Sequence, residues 1–161
     1  MSTSEDFKWE LSNYNYNKNY NFDRKKILNI CGEDNVDDAY ITISGWKNYK
    51  PTPLISLHKL SEKLKLNNVF YKDESKRFHL KSFKALGGAY AVEKTTKGNK
   101  NLTVATATAG NHGRSVAWGA QRLGLNCKIF ISDYVSEARA ESMRNLDAEV
   151  IRVKGNYEKS L

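Results

Sequence analysis

Lys84 is the residue of this chain whose neighbours best suit it to act as a nucleophile. It lies in the sequence KSFKALGG at residues 81–88, among apolar side chains and ahead of two glycines. A lysine forms a Schiff base with an aldehyde only when its amine is uncharged, a form that burial and nearby cations favour. The sequence therefore suggests a desolvated amine that a ring can approach over Gly87 and Gly88. The alternative is a solvated lysine at the start of a helix.

A second motif, TATAGNHG at residues 106–113, suggests an anion-binding loop. It follows a predicted strand and opens a predicted helix, and backbone N–H groups at a helix N-terminus bind anions. Gly110 and Gly113 would let the backbone approach a ligand closely. The alternative is an ordinary strand-to-helix turn in which Asn111 caps the helix. The two motifs together are more specific than either alone.

Strand-like and helix-like segments alternate along the chain after its prolines. The sequence PTPL at residues 51–54 predicts a turn or an extended segment, because each proline restricts the residue before it. A helix is then predicted from leucines at near-helical spacing, Leu57, Leu60, Leu64 and Leu66. Strands are predicted at residues 69–71, 102–105, 127–131 and 149–153, and helices at 82–96, 112–123 (stopped by Gly124), 136–146 (capped by Ser136) and from Asn156. This alternation predicts an α/β fold of parallel β-α-β units.

The composition excludes several classes of protein. The 161 residues carry a net charge of +8, but the lysines are scattered among acidic residues and form no stripe, so we expect no nucleic-acid partner. Cys31 and Cys127 are far apart and predict neither a metal site nor a disulfide framework. The chain shows neither an apolar run long enough to span a membrane nor a signal peptide, and we expect a cytoplasmic protein.

Both ends of the chain differ from the alternating middle. Residues 1–35 form a polar arm rich in Asn and Tyr, a bias typical of disorder, although its aromatic residues favour packing against a domain or a subunit. At Leu161 the chain stops where a further helix and strand would be expected. We therefore expect the N-terminal part of a longer α/β protein.

The two motifs, in this order and spacing, resemble the fold-type-II pyridoxal-phosphate enzymes, the tryptophan synthase β-like superfamily. The resembling stretch starts with YKPTPL at residues 49–54, includes KDESKRF at 72–78 and reaches Asn156 and Tyr157. The KDES-x-RF run before SFKALGG, and GNHGR-x-VAW after it, resemble the diaminopropionate ammonia-lyase branch in particular.

The resemblance implies roles for both motifs. Lys84 would be the Schiff-base lysine of pyridoxal 5′-phosphate and a proton-transfer group, and Asn111 would hydrogen-bond the phenolic oxygen of that cofactor. The substrate carboxylate would be held by the loop of Thr108, Ala109, Gly110, Asn111 and His112. Residues 36–100 would belong to the large cofactor domain and 101–161 to the small β-α-β domain of a three-layer fold. The full-length protein would be a homodimer acting on a small amino acid.

Three departures from the family's pattern change these expectations. Ala109 stands where the ammonia-lyases usually carry an aspartate, thought to be the base for one substrate enantiomer, and alanine there is common in the dehydratases. His79 stands where glycine is typical and could crowd the approach to the cofactor. In the family, the glycine-rich loop that binds the cofactor phosphate and the residue that faces the pyridine nitrogen lie C-terminal to the region that this sequence covers. We therefore expect the 161-residue chain alone to be inactive.

The expected activity is that of the N-terminal portion of a pyridoxal-phosphate-dependent lyase. It would eliminate ammonia from a small amino acid such as 2,3-diaminopropionate to give a 2-oxo acid. A serine/threonine dehydratase or a racemase of the same fold is one alternative, and Ala109 favours it. A non-catalytic truncated fragment is another alternative, favoured by the missing phosphate loop.

Overall fold

A computed structural model of the chain describes residues 24–108 and 110–161. The chain divides into two compact units, one ending at Val36 and the other spanning Asp37–Leu161. Most of the polar arm predicted for residues 1–35 lies outside the described residues. The helices are α1 (Arg24–Ile30), α2 (Glu33–Ser44), α3 (His58–Leu64), α4 (Lys84–Thr96), α5 (Asn111–Leu123), α6 (Glu137–Arg144) and α7 (Tyr157–Ser160), and the strands are β1 (Leu54–Ser56), β2 (Phe70–Lys72), β3 (Thr103–Ala107), β4 (Asn126–Ser132) and β5 (Ala148–Val153).

The predicted parallel sheet forms from the last three strands. Their order is β3-β4-β5, with β4 parallel to both neighbours. Helices α5 and α6 connect the strands, as the alternating pattern predicted. The α/β fold class is therefore confirmed. Because the strands are parallel, β3 and β4 end at the same edge of the sheet, which is where ligands bind in open α/β sheets.

The strand predicted at residues 69–71 forms but does not join the parallel sheet. It is β2, which pairs antiparallel with β1 so that Leu54 lies opposite Lys72. All three residues of β2 are exposed. A parallel sheet buries both faces of its strands, so a strand as exposed as β2 is better suited to a small antiparallel pair.

The core lies between the parallel sheet and helices α4, α5 and α6. Ile129 and Ile131 of β4 and Met143 of α6 are fully buried there. Helices α4 and α5 approach closely because two glycines face the opposite helix. A Cβ atom at Gly88 would lie 1.8 Å from Ser115 Oγ, and one at Gly119 would lie 2.8 Å from the Ala89 Cα.

This packing gives one of the two glycines after Lys84 a role that was not predicted. Gly88 is needed for the contact between α4 and α5. A Cβ atom added at Gly87 would meet nothing within 4 Å. The doublet therefore reflects helix packing at one position and leaves open space at the other.

The predicted helix ends are largely confirmed. Helix α3 ends at Leu64, ahead of Leu66, because Lys65 is left-handed with a φ of 53°. Gly124 ends α5 in the left-handed conformation that favours glycine. Asn156 caps α7 because its side-chain oxygen accepts a hydrogen bond from the Lys159 amide at 3.2 Å. Ser136 precedes α6 as predicted, but its side chain makes no capping hydrogen bond.

Two further features follow from the described residues. Both cysteines are free, Cys31 exposed and Cys127 buried, and burial raises the pKa of Cys127 to about 11.

Among the helices of residues 24–108 and 110–161, none has the length and apolar character to cross a membrane.

Candidate active site

A cavity of about 880 Å³ brings the two predicted motifs together. It lies at the edge of the sheet where β3 ends, and it is lined by the first residue of α4 and the first turn of α5. Five predicted site residues share its wall: Lys84, Thr108, Gly110, Asn111 and His112. The volume is within the range of small-molecule pockets.

Lys84 is exposed in this cavity, which corrects the expectation of a desolvated amine. Phe83, its predecessor, is 66% exposed and does not shield it. The apolar neighbours in the sequence lie on other faces of α4: Ala85 is buried in the core and Leu86 is half-buried. Adjacent residues of a helix point in different directions, so an apolar run around Lys84 cannot enclose its amine.

The backbone of Lys84 is fixed from two sides. Ser115 of α5 donates a hydrogen bond from its hydroxyl to the Lys84 carbonyl oxygen at 2.5 Å. The Lys84 amide donates to the Ser82 hydroxyl at 3.3 Å, and Ser82 is buried. The start of α4 therefore has a defined position relative to α5, and the long side chain of Lys84 extends from a fixed point.

Asn111 is the first residue of α5 and does not cap it. The capping position belongs to Gly110, and no side chain makes a capping hydrogen bond there. The cap that the alternative assigned to Asn111 is therefore wrong, although the segment is a strand-to-helix turn. The Asn111 side chain is exposed at the cavity, and the first amides of a helix have no acceptor within it. Both can serve a ligand.

Thr108 orders the loop between β3 and α5. It is buried, its amide donates to the Phe130 carbonyl at 3.0 Å, and its hydroxyl accepts from the Gly110 amide at 3.2 Å. The Gly110 amide is thus already paired. Gly113 must be a glycine, because a Cβ atom there would lie 2.4 Å from Thr108 Cγ2 and 2.7 Å from Met143 Sδ.

Two of the three departures from the family's pattern concern single residues, Ala109 and His79. Ala109 lies outside the described residues. His79 is exposed and lines a second cavity of about 550 Å³ with Thr52 and Arg77, not the cavity at Lys84. His79 is therefore not one of the described residues that line the cavity at Lys84, and it does not crowd the Lys84 amine. Its φ of 61° is left-handed, which explains why glycine suits this position.

Several residues on the cavity wall were not predicted as site residues: Ala107, Arg114, Ala138, Arg139, Ser142 and Tyr157. The sequence could have indicated Arg114 as a wall residue, because it lies one helical turn after Gly110 and on the same face of the helix. Its Nε is buried and makes no hydrogen bond within the described part of the chain. The residues of α6 and α7 join the wall only through the order of the strands, and no local pattern marks them.

A buried arginine precedes the site along the chain. Arg77 is 5% exposed and binds Glu74 with both arms of its guanidinium, Nε to Oε2 at 2.7 Å and Nη2 to Oε1 at 2.9 Å. It also donates to the Thr52 hydroxyl at 2.9 Å and to the Lys50 carbonyl at 3.0 Å. The hydrogen bond from Arg77 holds the pKa of Glu74 below its ordinary value.

Residues 46–161 match the family model of pyridoxal-phosphate dependent enzymes. The match covers most of the chain, including both motifs and the whole cavity wall. The chain belongs to this family. Pyridoxal 5′-phosphate is the cofactor of these enzymes, as the resemblance implied.

Individual relatives agree with this assignment. A diaminopropionate ammonia-lyase of Escherichia coli (strain K12) is 40% identical, covering 68% of this chain and 32% of the relative. A catabolic L-threonine dehydratase of Staphylococcus aureus is 31% identical over 84% of this chain and 38% of the relative. This chain thus spans about a third of the length of the curated relatives it matches.

A solved structure is similar in fold as well as in sequence. The crystal structure of the diaminopropionate ammonia-lyase from Escherichia coli in complex with an aminoacrylate–pyridoxal-phosphate azomethine reaction intermediate matches with a TM-score of 0.72 and 38% identity. The match covers 78% of this chain and 35% of that one. This confirms that the chain resembles the ammonia-lyase branch.

The cavity wall fits part of the cofactor. Lys84 and Asn111 are both exposed on the wall, where the lysine amine would suit the aldehyde and the Asn111 amide would suit a ring oxygen. Arg114 and Arg139 add positive charge to the wall, which suits the anionic groups of cofactor and substrate. The wall therefore has the donors that the aldehyde side of pyridoxal phosphate needs.

Proposed function

We propose that this chain is the N-terminal portion of a pyridoxal-phosphate-dependent lyase that eliminates ammonia from a small amino acid similar to 2,3-diaminopropionate. The product would be a 2-oxo acid. The observation that carries the proposal is the shared cavity, which is lined by Lys84 and by Thr108, Gly110, Asn111 and His112 of the Asn111 loop, the name used here for residues 108–112. The likeness to the ammonia-lyases supports the choice of substrate.

Each residue of the cavity has a distinct part in this proposal. The bound cofactor supplies an electron sink for the carbanion at the substrate α-carbon. Lys84 would hold the cofactor at its aldehyde, and its amine nitrogen, once the substrate amine has displaced it, would be free to take the α-proton. Asn111 would orient the ring by donating from its amide nitrogen to the phenolic oxygen. The amides at the start of α5, with the helix dipole, hold the substrate carboxylate.

The domain assignment belongs to the same proposal. Residues 36–100 would form the first part of the large cofactor domain, and residues 101–161 would form part of the small domain with the Asn111 loop. The full-length protein would be a homodimer. Small-angle X-ray scattering of the full-length protein, with and without cofactor, would measure its mass and shape.

A second candidate is a serine/threonine dehydratase of the same fold, and the methyl group of Ala109 favours it. A methyl cannot accept a proton, so that face of the cofactor would lack the base of the ammonia-lyases. We expect the full-length protein to act on L-amino acids and barely on D-diaminopropionate. Initial rates on both enantiomers, for wild type and Ala109→Asp, would decide, and equal wild-type rates would contradict this expectation.

The proposal for Lys84 is tested by trapping the cofactor on the protein. Pyridoxal phosphate is added to the 161-residue chain, sodium borohydride fixes any lysine-bound cofactor, and peptide mapping locates it. We expect the label mainly on Lys84, and its loss in Lys84→Ala. Lys81→Ala is the matched control, since Lys81 is also exposed and lies three residues earlier.

Two outcomes would contradict the proposed function. Label spread over the exposed lysines in proportion to their number would show that the cavity has no preference for the aldehyde. Label on Lys81, with Lys84→Ala unaffected, would assign the wrong lysine. In the full-length protein Lys84→Ala should lower turnover by several orders of magnitude, because the nucleophile and the cofactor act as a unit.

A further inference from the structure

The chain enters helix α4 through an unusual backbone. Of the five residues in the turn of residues 77–81, three are non-glycine residues in the left-handed region: Phe78 at a φ of 43°, His79 at 61° and Lys81 at 56°. Such residues cost energy and persist only where their surroundings over-determine the conformation, and they cluster at functional sites. Lys84 lies three residues after the end of this turn, as the first residue of α4.

Arg77 fixes the start of the turn. Its guanidinium makes four hydrogen bonds to Glu74, Thr52 and the Lys50 carbonyl, which lie before the turn in sequence. Thr52 in turn donates a hydrogen bond from its hydroxyl to Glu74. An arginine with a bidentate carboxylate has a defined orientation, because the planar fork fits both oxygens at once. The Arg77 backbone is therefore held to the 50–53 segment.

The same residue also fixes the end of the turn. The Arg77 carbonyl accepts hydrogen bonds from the Leu80 amide at 2.8 Å and the Lys81 amide at 3.3 Å. Leu80 is 5% exposed and anchors the chain in the interior two residues before buried Ser82, whose hydroxyl accepts a hydrogen bond from the Lys84 amide. A continuous set of contacts thus leads from the guanidinium to the first residue of α4.

Phe78 keeps the left-handed backbone in place from the other side. Its ring lies 4.6 Å from the Trp118 ring and 5.9 Å from the Trp46 ring, measured between centroids. Trp118 belongs to α5, the helix whose first turn carries the Asn111 loop. The turn is therefore clamped between the Arg77 network and the helix that forms the opposite wall of the cavity.

We propose that Arg77 is a positioning residue for Lys84: its guanidinium holds the left-handed turn of residues 77–81 closed, and the closed turn places the Lys84 amine opposite Asn111. Arg77 does not line the cavity at Lys84, so it acts through the backbone. The inference deepens the proposed function, since the importance of the position of Lys84 rests on its proposed role.

The test compares two destabilised variants of the chain. Arg77→Lys keeps the positive charge but loses the fork that binds Glu74 and Thr52 together. Leu125→Ala is the control, since Leu125 is buried in the core between α5 and β4, outside the turn. Its substitution weakens the fold without touching the Arg77 network. Denaturant midpoints are measured first, and the following experiments are done well below both midpoints.

The first measurement is amide hydrogen exchange, which needs no cofactor. In Arg77→Lys we expect exchange at Leu80, Lys81 and Lys84 to accelerate by about tenfold relative to the β4 amides, because the turn opens locally when charge-assisted hydrogen bonds are lost. Leu125→Ala should accelerate exchange in β4 and α5 without this local excess. Uniform exchange in Arg77→Lys would overturn the proposal.

The second measurement is the ratio of pyridoxal-phosphate label on Lys84 to that on Lys81 after borohydride reduction. A purely structural role for Arg77 would leave this ratio unchanged in the folded protein. The proposal predicts that the ratio falls by about tenfold in Arg77→Lys, because only a minor fraction of the molecules then holds Lys84 opposite Asn111. In Leu125→Ala the ratio should stay at the wild-type value. An unchanged ratio in both variants would overturn the proposal.

The two measurements separate this inference from the proposed function. A wild-type ratio near one would contradict the role of Lys84, and the exchange data alone would then decide whether Arg77 holds the turn. If the ratio is high in the wild type and unchanged in Arg77→Lys, the proposed function stands and the positioning role of Arg77 is overturned.

Discussion

Two regions on either side of Lys84 achieve a defined structure by different means. The sheet region, residues 103–153, buries Ile129, Ile131 and Met143 completely between strands and helices. Residues 49–81 contain the antiparallel pair of β1 and β2, joined through α3, and are called the hairpin region here. This region exposes the apolar residues of its two short strands, Leu54, Ile55, Phe70 and Tyr71. Its order comes instead from one buried arginine with its partners and from an aromatic cluster around Phe78.

The difference shows how the two walls of the cavity are held. The Asn111 loop belongs to the sheet region, and its position follows from close packing, as the contacts around Gly113 show. Lys84 follows the hairpin region, and on the proposed role of Arg77 its position depends on directional hydrogen bonds. Packing tolerates little change of volume, whereas a hydrogen-bond network fails when one partner is removed. Substitutions should therefore have different effects on the two sides.

The largest effect is expected for a truncation in the sheet region. Ile129→Ala leaves a cavity in the core and should lower the free energy of unfolding by about 2–5 kcal/mol. The matched Ile55→Ala, at a side chain that is 42% exposed, should change it by less than about 1 kcal/mol. Urea denaturation measures both. Similar losses at the two sites would contradict the contrast between the regions.

Adjacent glycines of α4 should respond in opposite directions. Gly88→Ala forces a Cβ atom onto Ser115 and should cost about 1–3 kcal/mol of stability. Gly87→Ala has open space and a helical backbone, and it should add about 0.5–1 kcal/mol. Thermal unfolding of the two variants provides the measurement. Destabilisation by both would mean that Gly87 also has a packing role.

His79→Gly sharpens the contrast within the hairpin region. Since His79 is left-handed and exposed, glycine should relieve strain and raise the free energy of unfolding by up to about 1 kcal/mol. His58→Gly is the control, because His58 is also exposed but begins α3. A loss of stability in His79→Gly would show that the side chain contributes more than its backbone costs.

The smallest effect concerns acid. The pKa of Glu74 is lowered in the folded protein, chiefly by the hydrogen bond from Arg77. Its ionised form therefore contributes stability above the ordinary carboxyl pKa of 4.5, and this contribution is lost as the pH falls through the lower folded value. The stability difference between wild type and Glu74→Gln should shrink below pH 4.5. A constant difference from pH 7 to pH 3 would contradict the ionic role of Glu74.

Periodicity and turn chemistry predicted most of the regular structure after residue 56, but not helices α1 and α2. The helix ends at Gly124 and the cap at Asn156 follow from the preferences of single residues, and the parallel sheet follows from the alternation of strands and helices. The antiparallel pairing of β2 could not be predicted, because a short apolar segment does not reveal which strand it will meet.

The candidate site was predicted in its residues more than in its environment. The two motifs share a cavity, as their resemblance to the family implied. The exposure of Lys84 could not be read from its apolar neighbours, since the helix directs them elsewhere. The role of Gly88 depends on the distance between two helices, and the partners of Arg77 lie up to 27 residues before it in sequence. Long-range contacts of this kind leave no local pattern.

A titration of the ¹⁵N-labelled chain with pyridoxal phosphate, followed by two-dimensional NMR, tests the central claim most directly. The claim is that Lys84 and the Asn111 loop form one site. We expect weak binding, with the largest shifts at the amides of Thr108, Gly110, Asn111, His112 and Lys84, and their loss in Lys84→Ala. Shifts centred on the lysines of the hairpin region, with the amides of the Asn111 loop unmoved, would contradict the account.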